Sequence, residues 1–271
     1  MSSEGRAALV ERAARAGAAE AHSRFQQGVD AENKARKGEG IVDPGDVVTE
    51  ADRAAQRRVV EEINEAYPGD AIVAEEGEER KTVPEDGLAW VVDPIDGTYN
   101  FARGSRHWMT SVAVVEDGMP FAAANIAPAL GDAYVAAGDG ATRNGEAVSV
   151  TDHREPRFAN VAATFIPGFG SRVDYAAGVA ELFERFGNVR RYGSAQLTLS
   201  HVACGILDGA VAPSRADPWD CIAGTYLVEC AGGRVTDLDG DPWRHDSRGL
   251  VASNGRIHDE LLEVATRMAG D

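Results

Sequence analysis

In 90-WVVDPIDGTYNF-101 an apolar run closes on two aspartates separated by a proline and an isoleucine, and a glycine and a threonine follow. Asp93 ends a predicted strand, Pro94 stops its hydrogen-bond ladder, and Asp96 precedes Gly97-Thr98 at the predicted start of a short helix. Two carboxylates three residues apart on a stiff loop can converge on one point. Mg²⁺ takes about six oxygen ligands, usually a few carboxylates with waters and phosphate oxygens. The exposed N–H groups of Gly97 and Thr98 at a helix start would suit a phosphate. An ordinary Asp-Pro turn with an N-cap writes the same letters, so the segment alone decides nothing.

Two acids cannot hold two metal ions, which directs attention to other carboxylates. In 72-IVAEEGEE-79, Glu75 and Glu76 fall where an apolar strand ends; a solvated acidic loop is the plain alternative. In 217-DPWDCIAGTYLVECAGG-233, Asp217 reads as an N-cap, Pro218 as the first helical residue and Asp220 as the third. An acid there also complements the helix dipole. In 49-TEAD-52, Thr49 and Asp52 read equally well as a capping box. The histidines show neither HExxH nor triad spacing, and no Walker loop occurs.

The elements that must carry these residues follow from periodicity. A long helix is predicted over 5–33, then a Gly/Pro/Asp-rich connector over 37–48, then a helix from Thr49 to about Tyr67 with Ala55, Val59, Ile63 and Ala66 on one face. Apolar runs at 71–74, 88–92, 111–115, 121–126 and 133–137 are set off by turn pairs such as Asp117-Gly118 and Asn144-Gly145. They predict an antiparallel meander. After about residue 150, strands at 160–165, 189–192 and 208–212 alternate with helices near 173–186, 194–204, 218–231 and 257–269. The expectation is an α+β unit over 1–150 carrying most metal ligands, and an α/β unit over 151–271 supplying Asp220 and substrate contacts.

The composition is that of a soluble globular protein: 271 residues, 44% hydrophobic and 26% charged. No run is long enough to span a membrane, and acids among the N-terminal arginines argue against a targeting peptide, so a cytoplasmic protein is expected. Cys204, Cys221 and Cys230 form no CxxC pair and read as small buried hydrophobes. The formal net charge is −17, and Lys34, Lys37 and Lys81 are the only lysines. An acidic, lysine-poor surface suits concentrated salt, and a GC-rich genome depletes lysine in the same way. That charge argues against nucleic acid as a partner.

Taken together and in this order, 46-DVVTEAD-52, 75-EE-76, 90-WVVDPIDGTYNF-101 and 219-WDCIAG-224 followed by Gly232-Gly233 resemble the inositol monophosphatase family of metal-dependent phosphatases. The resemblance spans nearly the whole chain and implies a layered αβαβα sandwich, a homodimer, inhibition by lithium and two or three Mg²⁺ ions. It implies that Glu75, Asp93 and the carbonyl of Ile95 bind one ion. Asp93, Asp96 and Asp220 would bind a second, and Glu76 would contribute to a third through water. Thr98, hydrogen-bonded to Asp52, would orient and deprotonate the attacking water, with Glu75 nearby. Gly97 and Thr98 amides, beside Asp96, would hold the phosphate, and Gly193, Ser194 and Ala195 would line the organic part of the substrate.

The substrate implied is a small sugar or polyol phosphate. Animal members place a glutamate seven residues before the late aspartate, and this chain has Pro213 there, which weakens inositol 1-phosphate against fructose 1,6-bisphosphate. Arg191 and Arg215 lie in segments that could reach a second phosphate; a surface ion pair is the plain reading of each. A nucleotide phosphatase, and a non-catalytic scaffold like the relatives that bind the transcription machinery, stay open.

Overall fold

The computed structural model describes residues 3–27, 32–33, 47–138, 140–165 and 172–270. Helix α1 (Ser3–Arg24) is followed by the short pair β1 (Glu32–Asn33) and β2 (Val47–Val48), helix α2 (Glu50–Ala66), and strands β3 (Ala71–Ala74) and β4 (Leu88–Asp96). The one-turn helix α3 (Thr98–Ala102) leads to β5 (Met109–Glu116), β6 (Met119–Ala127), β7 (Asp132–Ala137), β8 (Gly140–Arg143) and β9 (Glu146–Val148). The second half runs β10 (Asn160–Ala163), α4 (Arg172–Arg185), β11 (Asn188–Arg190), α5 (Ala195–Ala203), β12 (Gly209–Ala212), α6 (Pro218–Cys230), β13 (Arg234–Thr236), β14 (Leu250–Ser253) and α7 (His258–Ala269).

Strands β3 to β9 form one sheet in sequence order, antiparallel throughout except for the parallel β3–β4 pair. Its two-residue turns sit where the sequence places them. Asp117-Gly118 and Asn144-Gly145 all have positive φ, the twist that matches antiparallel strands. The second sheet has the order β11-β10-β12-β14-β13 and is mixed.

Alternation along the strands buries both faces of the first sheet. Trp90, Val92, Val112, Val114, Ala122 and Ala124 pack under α1 and α2, while Val91, Ala113, Val115 and Ala123 meet Trp219, Ile222 and Ala223 of α6. Leu197, Leu199 and Val202 of α5 and Leu227 and Val228 of α6 join the two sheets. Leu182 of α4 with Leu261 and Val264 of α7 covers the far face of the second. The layers are therefore α, β, α, β, α, as the resemblance implied. Among the described residues no helix is long and apolar enough to cross a membrane.

Several details differ from the sequence expectation. The first helix stops at Arg24 rather than continuing to 33, because Gln26 takes a left-handed φ of 63° and Glu32–Asn33 are extended. The predicted connector lies outside the described residues except for β2, and so does Asp46 of the 46–52 motif. Cys221 is buried, but Cys204 and Cys230 are partly exposed at the ends of their helices. The sequence reading also missed β1, β2, β8, β9, β13 and β14, whose two- to four-residue runs are too short to show a period.

Candidate active site

Strand β4 presents Ala89 and Val91 toward α6, and the same alternation turns Asp93 to that side. A regular strand would send Asp96, three residues on, to the opposite face. The pairing with β5 instead slips between Asp93–Ser111 and Asp96–Met109. Pro94-Ile95 thus carry one extra residue, and the bulge brings Asp96 back to the Asp93 side. The Thr110 hydroxyl donates to the Pro94 carbonyl at 2.7 Å and holds the bulge from the neighbouring strand. On α6, Asp217 is the N-cap, Pro218 opens the helix, and Asp220 follows within the first turn. Carboxylate oxygens of Asp93, Asp96 and Asp220 lie within 4.8 Å of one another.

Glu75 and Glu76 leave the end of β3. The Glu75 amide donates to the Val92 carbonyl at 3.3 Å, which keeps the turn against β4. Gln56 of α2 clamps Glu76 by its backbone: its side-chain amide donates to the Glu76 carbonyl at 2.7 Å and accepts from the Glu76 N–H at 2.8 Å. Lys81 Nζ donates to the carbonyls of Ala74, Glu75 and Glu76 at 2.7, 2.9 and 3.2 Å, and sits 5.7 Å from the Trp219 ring centre. Three carbonyls converging on one point suit a compact ammonium better than a planar guanidinium. That geometry accounts for a lysine in a chain whose bases are otherwise almost all arginine.

The capping box at α2 is present, with Asp52 accepting from the Thr49 N–H at 2.8 Å. Asp52 has a second role. Its other oxygen accepts from the Thr98 hydroxyl at 2.9 Å, so a helix cap and a site residue share one carboxylate. The Thr98 hydroxyl also lies 3.0 Å from the Ile95 carbonyl. One proton serves one acceptor at a time. When it goes to Asp52, the lone pairs of Thr98 and the Ile95 carbonyl are left for other ligands. Gly97 has φ +93°, and a Cβ there would meet the His107 carbonyl at 3.0 Å and the Gly193 carbonyl at 3.2 Å, so only glycine fits the turn.

Gly193, Ser194 and Ala195 adjoin the cluster, but two of them are engaged inward. Asp96 accepts from the Ser194 hydroxyl and from the amides of Ala195 (3.0 Å), Gln196 (2.8 Å) and Leu197 (3.4 Å) at the start of α5. Ser194 and Ala195 are buried, while Gly193 is partly exposed. Three of those donors fall on Oδ2; Oδ1 takes only the Ala195 amide and retains a lone pair. Asn100 ties this loop to α3, its amide lying 2.7 Å from the carbonyls of His107 and Tyr192. Arg191 and Arg215 are both exposed, Arg191 with its charge near Tyr175 and Arg215 with its charge near His245. Neither forms an ion pair among the described residues.

The electrostatics are those of an anionic cage. Burial pushes the Asp93 carboxyl well up, and Glu75, Asp96 and Asp220 push it further. Asp220 is raised well above its ordinary range by burial and then by Glu75, Asp96 and Asp217. Asp96 is raised by burial against the opposing pull of its hydrogen bonds. Asp52 rises to about 6, again from burial, with its bonds to Thr49 and Thr98 working against the shift. Asp93 Oδ1 is buried and has no hydrogen-bond partner. A buried carboxylate oxygen facing other carboxylates is satisfied by a cation, and an all-oxygen donor set suits a hard divalent ion. The residues fit such an ion.

Gln56, Lys81, Asn100 and Gln196 escaped the sequence reading. Lys81 carried a signal as a rare lysine next to an acidic turn and Asn100 as part of the 90–101 motif; the two glutamines carried none.

The profile of the inositol monophosphatase family matches residues 2–268. A fructose-1,6-bisphosphatase/inositol-1-monophosphatase of Thermotoga maritima is 39% identical over 225 residues, covering 82% of this chain and 84% of its own. A protein named Nus factor SuhB, from Xylella fastidiosa, is 34% identical over 227 residues, covering 81% of each chain. The solved structure of a Thermotoga maritima IMPase superposes with a TM-score of 0.81 at 30% identity, over 98% of this chain and 96% of that one. The chain belongs to the inositol monophosphatase family of metal-dependent phosphatases.

Proposed function

We propose that this protein hydrolyses the monoester of a small sugar or polyol phosphate, inositol 1-phosphate or fructose 1,6-bisphosphate, in a Mg²⁺-dependent reaction. The observation that carries the reading is the trio Asp93, Asp96 and Asp220 with an unpartnered buried oxygen on Asp93. Glu75, Asp93 and the Ile95 carbonyl would hold one ion; Asp93, Asp96 and Asp220 would hold a second, and Glu76 would assist a third. When bound, divalent cations acidify a water and neutralise charge developing on the phosphate and the departing oxygen. The chain's own residues do the rest. Thr98 would point its lone pairs at a water and take its proton while passing its own to the Asp52 carboxylate, to which it donates, and the Gly97 and Thr98 amides would orient the phosphate. Arg191 and Arg215, exposed and in no ion pair among the described residues, would reach a second phosphate. The two sheets are read as two units meeting near residue 150, the first supplying Glu75, Asp93 and Asp96 and the second Asp220. The protein is further read as a cytoplasmic homodimer.

Phosphate release from inositol 1-phosphate, fructose 1,6-bisphosphate and adenosine 3′,5′-bisphosphate, each with Mg²⁺ in low and molar KCl, tests the assignment. Turnover of either of the first two supports it; preference for the third makes the protein a nucleotide phosphatase. The similarity to a Nus factor favours a second reading, a protein-binding role on the same fold. Asp93→Asn separates them, because it abolishes turnover and leaves a scaffold function intact.

A further inference from the structure

The centre of the molecule holds a chain of uncharged polar side chains where apolar packing would be expected. Asn125 of β6, Gln196 and Ser200 of α5 are fully buried. Asn125 Nδ2 donates to Gln196 Oε1 at 3.1 Å and to the Ser200 hydroxyl at 3.0 Å. Ser200 in turn donates to the Gln196 carbonyl at 2.8 Å. Gln196 is the hub. Its backbone N–H donates to Asp96 Oδ2 at 2.8 Å, and its side-chain Nε2 donates to the Trp219 carbonyl at 2.6 Å. Trp219 immediately precedes Asp220. One residue therefore grips both segments that deliver acids to the cluster, one on β4 and the other on α6.

The packing around Gln196 is built for this reach. A Cβ on Gly224 of α6 would meet Leu199 Cβ at 2.5 Å and Gln196 Oε1 at 2.8 Å, so the glycine lets the two helices close until the amide spans them. A buried amide is desolvated and must be matched by partners, whereas an apolar side chain of equal size packs without that demand. The match here is incomplete, since Asn125 Oδ1 has no partner. A network kept at that disadvantage, and ending on Asp96 and beside Asp220, serves the spacing of those two carboxylates.

We propose that Gln196, oriented by Asn125, is a positioning residue that fixes the separation of Asp96 and Asp220 and thereby the affinity of the cluster for divalent ions. The inference rests on the metal-site reading above. Its test is Mn²⁺ binding to the full-length protein by electron paramagnetic resonance, with kcat and the Mg²⁺ dependence of activity measured in parallel. Gln196→Met keeps the volume and removes both side-chain bonds. It is expected to weaken Mn²⁺ binding roughly ten-fold, the scale typical of residues that orient ligands, at a temperature where circular dichroism shows it fully folded. The Mg²⁺ concentration for half-maximal activity should rise by a similar factor. Asn125→Ala, which frees Gln196 from one side only, is expected to show a smaller weakening in the same direction and carries the test should Gln196→Met not fold. Variants that melt earlier yet bind Mn²⁺ like the parent overturn the inference, because their role is then structural. A parent protein that binds no Mn²⁺ overturns the metal-site reading itself, and the inference with it.

Discussion

Asp93→Asn should make the protein more stable and inactive at once. Asp93 is buried, and its oxygens lie within 4.8 Å of ligand atoms on Asp96 and Asp220. At an effective dielectric constant of about 20, each like-charge pair at that distance costs about 3.5 kcal/mol. Two such pairs would cost about 7 kcal/mol if all three groups stayed ionised. The native protein escapes part of this by binding a proton, and that escape sets a ceiling. Protonating a carboxyl of ordinary pKa 3.9 at pH 7 costs about 4 kcal/mol, from about 1.4 kcal/mol per pKa unit. Asparagine mimics the protonated form at no such cost. In EDTA at pH 7, Asp93→Asn is therefore expected to raise the unfolding free energy by up to about 4 kcal/mol.

The sign with pH follows from the raised native pKa of Asp93. Above the unfolded pKa the unfolded chain releases the proton that the native protein keeps, so the native protein loses stability as pH rises. The advantage of the variant should shrink as pH falls toward the ordinary carboxyl range and vanish near pH 4. Urea unfolding in EDTA and in saturating Mg²⁺ provides the assay. Mg²⁺ should stabilise the parent through linked binding and affect the variant much less. A variant less stable than the parent in EDTA, or one that Mg²⁺ stabilises equally, would refute the reasoning that the cluster is a strained anionic cage relieved by a cation.

Thr98→Val removes the hydroxyl that joins Asp52 to the site; kcat is expected to fall roughly 10²-fold with KM nearly unchanged, as for loss of a proton acceptor. A comparable rise in KM with kcat intact would show that the hydroxyl only binds substrate. Stability at mildly acidic pH should reflect His258, which lies between the hydroxyls of Ser253 (2.8 Å) and Thr236 (2.9 Å). Burial pushes its pKa down to about 4, so between pH 6.5 and 4 the unfolded chain takes up a proton that the native protein refuses. Unfolding free energy should drop by roughly 3 kcal/mol across that window from this group. His258→Asn, measured by urea unfolding at pH 7 and pH 4.5, should flatten that part of the slope; an unchanged slope assigns it elsewhere.

Much of this molecule was written in local sequence. The continuous apolar runs in 88-LAWVV-92 and 111-SVAVV-115 mark strands buried on both faces, and Asn144-Gly145 marks its hairpin, because apolar content and turn φ are properties of a few adjacent residues. Thr49 and Asp52 announce the start of α2 for the same reason. The candidate acids could also be named, since carboxylates at strand ends and helix starts are visible as letters. Their convergence could not be derived from those letters. Asp93 and Asp96 share a side only because the β4–β5 register slips by one residue, and Asp220 joins them only because α6 packs against Val91 and Ala113 across the sheet. Asp52 gains its second partner from a threonine 46 residues away. Gln56 and Gln196 carry no signal in one dimension, because a buried amide is defined by what surrounds it. Local sequence determines which elements form and where they begin and turn; the distance between carboxylates, and with it the charge that the cluster must have neutralised, is decided when the strands pair and the layers close.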